Sequence, residues 1–376
     1  MNLTIVGAGN MGLALTAYLS LKGGNSIRLF TKKDILKSGP VLMRDVEGGI
    51  ERYISDFHVT SSPEEAFEDA DIIFCTYPAF LRKEFLEMNG KYMKAGAKLG
   101  FVPGYGGAEY ACKELIGRGI IIFGLQRVPY VARAQYTERG IVAGILSRKR
   151  QLYAAAIPYK ESDSISSVLT RLLDIPCTTL KEYLAITLAP SNPLLHITGL
   201  YNVFRSCKAD TVYERPLRFY EEWDDEASEI LFAYDMELQS ICKALSPLDL
   251  REVVPLPVYY ESPTPGQLTK KLKSIESFKT VMVPLKENKN GYIPDLESRM
   301  FTEDFPFGIC VIKEFALITG IETPNIDLLL NFYCNLSGHK YFNNDGSCTE
   351  EIHNTGVPSN YGLLTKEEII AFYHKQ

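Results

Sequence analysis

Leu3-Thr4-Ile5-Val6-Gly7-Ala8-Gly9-Asn10-Met11-Gly12-Leu13-Ala14-Leu15 is the stretch whose reading decides the fold. Leu3 to Val6 has the apolar character of a short buried strand, and from Met11 to Leu21 the apolar residues recur at helical spacing. Between them lies GxGxxG. Glycines there permit a tight turn, close approach of a pyrophosphate to backbone N–H groups, and close packing of helix on strand. The helix N-terminus adds positive potential. Gly7, Gly9, Asn10, Met11 and Gly12 are therefore the expected contacts of a dinucleotide; the competing reading is a glycine turn in an α/β domain that binds nothing. A signal peptide would also be apolar, but this stretch lacks a basic leading region.

Working outward, the next strand, Ser26 to Phe30, ends where an NAD site usually places an acid for the ribose 2′-hydroxyl. Here stand Thr31, Lys32 and Lys33, and the first acid is Asp34. A hydroxyl and two ammonium groups suit a 2′-phosphate, so NADP is expected, with NAD as the alternative in which the lysines merely decorate a loop. Asp71 to Cys75 is a further strand running into Thr76 and Pro78, which are added to the cofactor contacts. Leu99 to Val102 and Ile120 to Phe123 repeat the pattern. Strands alternating with helices predict a doubly wound parallel sheet whose post-strand loops line one crevice. Gln126 and Arg133 follow the last of these strands and are candidate substrate contacts, loop bracing being the alternative for either. Gly140 to Leu146 and Leu152 to Pro158 are expected to pair with each other.

From Tyr183 the pattern turns helical, notably at 225–244, 264–278, 304–319 and 325–336. The expected fold is α/β: an N-terminal Rossmann-type doubly wound sheet over 1–182, followed by an all-α domain over 183–376. Two domains also suit a chain of 376 residues. A net charge of −6 argues against nucleic acid or an anionic membrane as the main partner, and no apolar run is long enough to span a bilayer. The eight cysteines are scattered, without CxxC pairs or zinc spacing, which predicts a reduced, cytoplasmic protein without a metal site.

Two polar constellations stand in the helical half. In Ala189 to Asn202 (APSNPLLHITGLYN), Ser191 reads as a helix N-cap with Pro193 in the first turn. Such a helix puts Asn192 and His196 one turn apart on the same face of an apolar segment. By itself His196 reads as a core histidine; at a domain boundary behind a dinucleotide fold it reads as an acid/base. The second constellation is Arg299-Met300-Phe301-Thr302-Glu303-Asp304-Phe305-Pro306-Phe307-Gly308. Its acids suit a helix start. The functional alternative has Asp304 orient an imidazole and Arg299 clamp a carboxylate.

GAGNMG at Gly7 to Gly12, LQRVPYVAR at Leu125 to Arg133, NPLLH at Asn192 to His196 and RMFTEDFPFG at Arg299 to Gly308, followed by TPNID at Thr323 to Asp327, together resemble the octopine/nopaline (opine) dehydrogenases. That resemblance implies NAD(P)H-dependent reduction of the imine formed between a 2-oxo acid, such as pyruvate, and the amine of an amino acid. It implies that His196 is the catalytic histidine, Asp304 its paired acid, Arg299 a holder of a substrate carboxylate and Gln126 a substrate contact, with Asn192 and Arg133 as further candidates. Ile197 stands where family members often carry proline, and Glu214 to Asp225 is unusually acidic and aromatic. The expected partners are thus small molecules, with a homodimer left open. A ketopantoate-type reductase of the same superfamily and a non-catalytic NADP-binding sensor are the alternatives.

Overall fold

The first glycine turn leaves the strand about which the N-terminal sheet reverses its order. A computed structural model of the chain describes residues 1–34, 39–137, 140–189, 191–208, 211–343 and 345–374, and of Ser191 the backbone alone. The expected Ser191 cap therefore lies outside the described side chains. The chain divides into one unit of Met1–Thr187 with Ala371–Gln376 and a second of Leu188–Ile370. The expected boundary at 182/183 lies five residues earlier, and it left the C-terminal segment with the helical domain. Tyr183 and Thr187 explain the later division: their hydroxyls donate to the Gly104 carbonyl and to Glu109 Oε1, both in the first unit.

In the first unit the strands are β1 (Asn2–Val6), β2 (Ser26–Phe30), β3 (Val41–Asp45), β4 (Ile50–Ile54), β5 (His58–Thr60), β6 (Ile72–Cys75), β7 (Lys98–Phe101), β8 (Ile121–Leu125), β9 (Tyr130–Thr137), β10 (Gly140–Arg148), β11 (Leu152–Ile157) and β12 (Cys177–Thr179). Eight form the main sheet in the order β12-β11-β8-β7-β6-β1-β2-β5, parallel from β8 to β5, with β11 antiparallel to β8. β1 lies between β2 on one side and β6 on the other, which makes its C-terminal end the topological switch point where such sheets bind ligands.

The other four strands form a second sheet, β4-β3-β10-β9. This corrects the expected pairing of Gly140–Leu146 with Leu152–Pro158: β10 pairs with β9 and β3, while β11 joins the main sheet. Ala154, Ala155 and Ala156 are buried on both faces of β11, as an interior sheet position requires, and Arg148 at the end of β10 is held by Asp45 of β3. Helix α1 (Asn10–Lys22) packs against strands of both sheets and is buried continuously from Gly12 to Ser20. That double cover is why the N-terminal stretch is apolar enough to imitate a signal peptide.

The second unit is built on α3 (Ser191–Phe204), α4 (Asp225–Ala244), α5 (Pro265–Ser274), α6 (Cys310–Thr319) and α7 (Pro324–Ser337); α2 (Ser162–Leu173) belongs to the first unit, and α8 (Lys366–His374) closes the chain. Asp224 caps α4 by accepting from Ala227 N at 2.8 Å. The buried Glu237 of α4 accepts from the backbone N–H groups of Asn325 and Ile326, at 2.8 and 2.9 Å, and so satisfies the orphan donors opening α7. TPNID is thus a capped helix start. One antiparallel hairpin, β13 (Leu285–Asn288) with β14 (Gly291–Pro294), is added to the otherwise helical unit. No helix among the described residues is long and apolar enough to cross a membrane.

Candidate active site

His196 and Asp304 stand 108 positions apart and meet inside the second unit: Nδ1 of the ring lies 2.8 Å from Asp304 Oδ2. Two local devices bring them together. Phe301 and Phe305 flank the acid, and both are fully buried. Phe305 stacks on Tyr333 of α7 at 4.0 Å between centroids, so the chain carries Asp304 into the core with its neighbours. Past Asp304 the chain makes a π-turn, Phe305–Ile309, containing Pro306, which has no N–H to offer a regular ladder.

The second device is a glycine. A Cβ on Gly308 would lie 2.5 Å from Cβ and 2.8 Å from Cγ of Pro193, so a bare backbone here lets the first turn of α3 press against the π-turn. His196 is three residues beyond Pro193 and Asp304 four residues before Gly308, so that contact sets the dyad distance. Gly199 does similar work on the next turn: its missing Cβ makes room for Phe219, 2.3 Å from where the carbon would be. Phe219 then meets the His196 ring edge-on, 5.8 Å between centroids at 80°. The sequence reading missed Gly308, Gly199 and Phe219 as site residues, although the first two stand within the motifs it singled out.

The dyad is largely dry, with the His196 side chain 17% exposed and that of Asp304 6%. Burial pushes the Asp304 carboxyl above its ordinary range, while the facing His196 ring pulls it back down. With Nδ1 turned to Asp304, Nε2 is the ring nitrogen that does not face the acid. One residue earlier, buried Glu303 binds Arg299 through Nε at 2.7 Å and through Nη2, which aims the guanidinium from one turn back. Arg299 itself is exposed, as is Asn192.

In the first unit, the turn after β1 fits a dinucleotide. Gly7 has φ +98°, and a Cβ on Gly12 would fall 1.7 Å from the Gly7 carbonyl oxygen, so neither position admits a side chain. A Cβ on Gly9 would meet nothing within 4 Å, leaving the face of the turn open. Gly9 caps α1 with no side-chain hydrogen bond, and the first turn carries no acid, so the helix N-terminus faces outward uncompensated. Thr76 donates to the Val6 carbonyl at 2.8 Å and braces the end of β1, and Pro78 opens the helix Ala79–Asn89.

The remaining expected contacts differ in what they hold. Met11 packs its side chain on the core, and Asn10 Oδ1 accepts from Ala134 N of β9 at 2.8 Å. Thr31 is buried and accepts from Lys33 N at 3.2 Å, turning its hydroxyl into the chain. Lys32 is exposed, and Lys33 Nζ lies within 3.3 Å of the Ala8 carbonyl. Gln126 is half-buried, its backbone N–H donated to the Tyr153 carbonyl, and Arg133 is exposed on β9.

Residues 179–337 match the NAD/NADP octopine/nopaline dehydrogenase alpha-helical domain. Among characterised relatives, octopine dehydrogenase of Pecten maximus is 24% identical over 327 residues, 83% of this chain and 81% of its own length. Tauropine dehydrogenase of Arabella iricolor is 25% identical over 332 residues, 83% of this chain and 82% of its own. A structure of octopine dehydrogenase with NADH and L-arginine superposes with a TM-score of 0.87 at 22% identity, covering 100% of this chain and 98% of that one, which shows the shared fold.

Proposed function

We propose that the chain is an NAD(P)-dependent oxidoreductase of the octopine/nopaline dehydrogenase family, one that condenses a 2-oxo acid, such as pyruvate, with the amino group of an amino acid and reduces the resulting imine. The observation that carries this reading is the buried His196–Asp304 pair, held at 2.8 Å from two distant segments.

Condensation needs an amine that has lost a proton, and reduction needs an imine nitrogen that has gained one. His196 Nε2 serves both: it takes the ammonium proton, returns a proton as water leaves the carbinolamine, and leaves the imine nitrogen protonated. Asp304 fixes the ring tautomer and balances the imidazolium that forms. The Gly7–Gly12 turn would hold the nicotinamide cofactor, whose contribution would be hydride donation. Per turnover, one 2-oxo acid, one amino acid, one NAD(P)H and one proton give the secondary amine dicarboxylate, NAD(P)⁺ and water. Arg299, aimed by Glu303, pairs with a substrate carboxylate, and Gln126, Asn192 and Arg133 are further substrate contacts. Lys32 and Lys33 after β2 favour NADPH over NADH; Thr31, expected to contribute, instead has its hydroxyl buried and turned into the chain.

The test follows NADPH and NADH oxidation with pyruvate and a panel of amino acids, taurine included, with identification of the product by mass. Turnover that requires both carbon substrates and yields their N-linked product is expected. Oxidation supported by a 2-oxo acid alone and unmoved by any amine would overturn the proposal in favour of a simple keto reductase.

A further inference from the structure

The glycine turn is also reached by a residue of the second sheet, through Lys33. The Lys33 ammonium is positioned by three neutral partners. It donates to the Ala8 carbonyl at 3.3 Å and to the Tyr136 hydroxyl at 3.2 Å, and it lies 4.3 Å from the centroid of the Tyr136 ring. Tyr136 comes from β9 of the second sheet, 103 positions from Lys33, and its own hydroxyl donates to the same Ala8 carbonyl. Two residues earlier on β9, Ala134 N donates to Asn10 Oδ1 at 2.8 Å, fastening the strand to the first residue of α1. The second sheet thus reaches the glycine turn and holds a lysine against it.

We propose that Tyr136 is a positioning residue for cofactor selection, holding the Lys33 ammonium beside Ala8 where it pairs with the 2′-phosphate of NADPH. The inference rests on the dinucleotide reading of the Gly7–Gly12 turn. Lysine is a point charge on a flexible four-carbon stem, and most of its freedom is lost when it is fixed on a ligand. A stem already held by a carbonyl, a hydroxyl and a ring face loses less on binding. Among the described residues its partners carry no negative charge, so they orient the ammonium without cancelling it. A 2′-hydroxyl gains little from a cation there; a phosphate dianion gains a charge-assisted bond.

Direct titration of NADP⁺ and NAD⁺, and of 2′-phospho-ADP-ribose and ADP-ribose, by calorimetry separates this from a purely structural role. The wild-type chain is expected to bind the 2′-phosphorylated member of each pair at least about tenfold tighter. Lys33→Ala should weaken the phosphorylated ligands about 10- to 100-fold, and Tyr136→Phe about 3- to 10-fold, with NAD⁺ and ADP-ribose moved less than about twofold. If Tyr136→Phe weakens both members of each pair equally, Tyr136 only braces the turn and the inference fails. Equal wild-type affinity for both members overturns it as well. Binding as expected without condensation of any amine with a 2-oxo acid leaves this inference standing and removes the proposed reaction; binding of neither nucleotide removes both.

Discussion

Gly308→Ala places a methyl carbon 2.5 Å from Pro193 Cβ, where apolar carbons rest at about 3.5 Å or more. Something must yield by about 1 Å. Neither side is the loose end of a flexible chain: Pro193 is a ring in the first turn of α3, and Gly308 lies in a π-turn between two buried phenylalanines and α6. The direct route is for α3 to move off the turn, taking His196 with it. The 2.8 Å contact between Nδ1 and Oδ2 would then open to about 3.8 Å, outside hydrogen-bond range. Overpacking of this kind costs about 1–3 kcal/mol of stability, and a 1 Å misplacement of a catalytic group costs about 10²-fold in rate. The assay is kcat for reductive condensation at saturating substrate, beside a thermal melt of the same preparation. Pro193→Gly in the Gly308→Ala background removes the colliding carbons and should restore most of the rate even though glycine weakens the helix start. Wild-type kcat for Gly308→Ala, or a loss that Pro193→Gly leaves untouched, would refute the idea that this contact sets the dyad distance.

Three further perturbations address other parts of the molecule. Asp304→Asn keeps an acceptor for Nδ1 but removes the charge that would balance an imidazolium, so kcat at pH 7 should fall about 10²-fold or more. Because burial raises the Asp304 carboxyl, its ionised form costs stability above that raised value, and the same variant should melt no lower than wild type at pH 8; a clear drop in melting temperature with an unchanged kcat would contradict the assignment. Glu109, fully buried with Oε2 unpartnered among the described residues, is pushed up to about 7 by burial. Between about pH 4.3 and 7 the folded state therefore holds a proton that the unfolded chain has released, and stability falls as pH rises, by about 1.4 kcal/mol per unit at the steepest. Glu109→Gln should flatten that slope in denaturant titrations from pH 4.5 to 8, and an unaltered slope would count against it. Arg299→Lys keeps a charge beside Glu303 but loses the planar fork, so the KM of one carboxylate substrate should rise about tenfold with kcat changed much less; equal loss in both constants would point to a transition-state role instead.

Much of this was legible from residue order because the chemistry is local. The strand, glycine turn and helix of residues 3–21 follow from backbone permissiveness and periodicity, as do the helical spans of α4 and α7, although the donors that open α7 are met by the distant Glu237. His196 and Asp304 are candidates through their motifs and the family resemblance those motifs carry; alone, the first reads as a core histidine and the second as part of a helix start. The second sheet was harder to read, since β3 and β10 lie about a hundred positions apart and alternation of side chains says only that a strand has a partner, never which. For the same reason β10 and β11, adjacent in sequence, read as partners, yet they belong to different sheets.

By itself, the sequence determined that a strand, a glycine turn and a helix come first, that a helical half follows, and which polar residues stand within apolar segments. These are properties of short segments, governed by φ/ψ freedom, capping and hydrophobic period. Only the tertiary structure decided that Gly308 meets Pro193, that Phe219 faces the imidazole, that Glu109 ties Thr187 to Tyr373, and that Tyr136 holds Lys33 at the glycine turn. Each of these joins residues far apart in the chain through sub-ångström fit or a single hydrogen bond. Contacts of that kind depend on how the layers pack, and no local pattern records them.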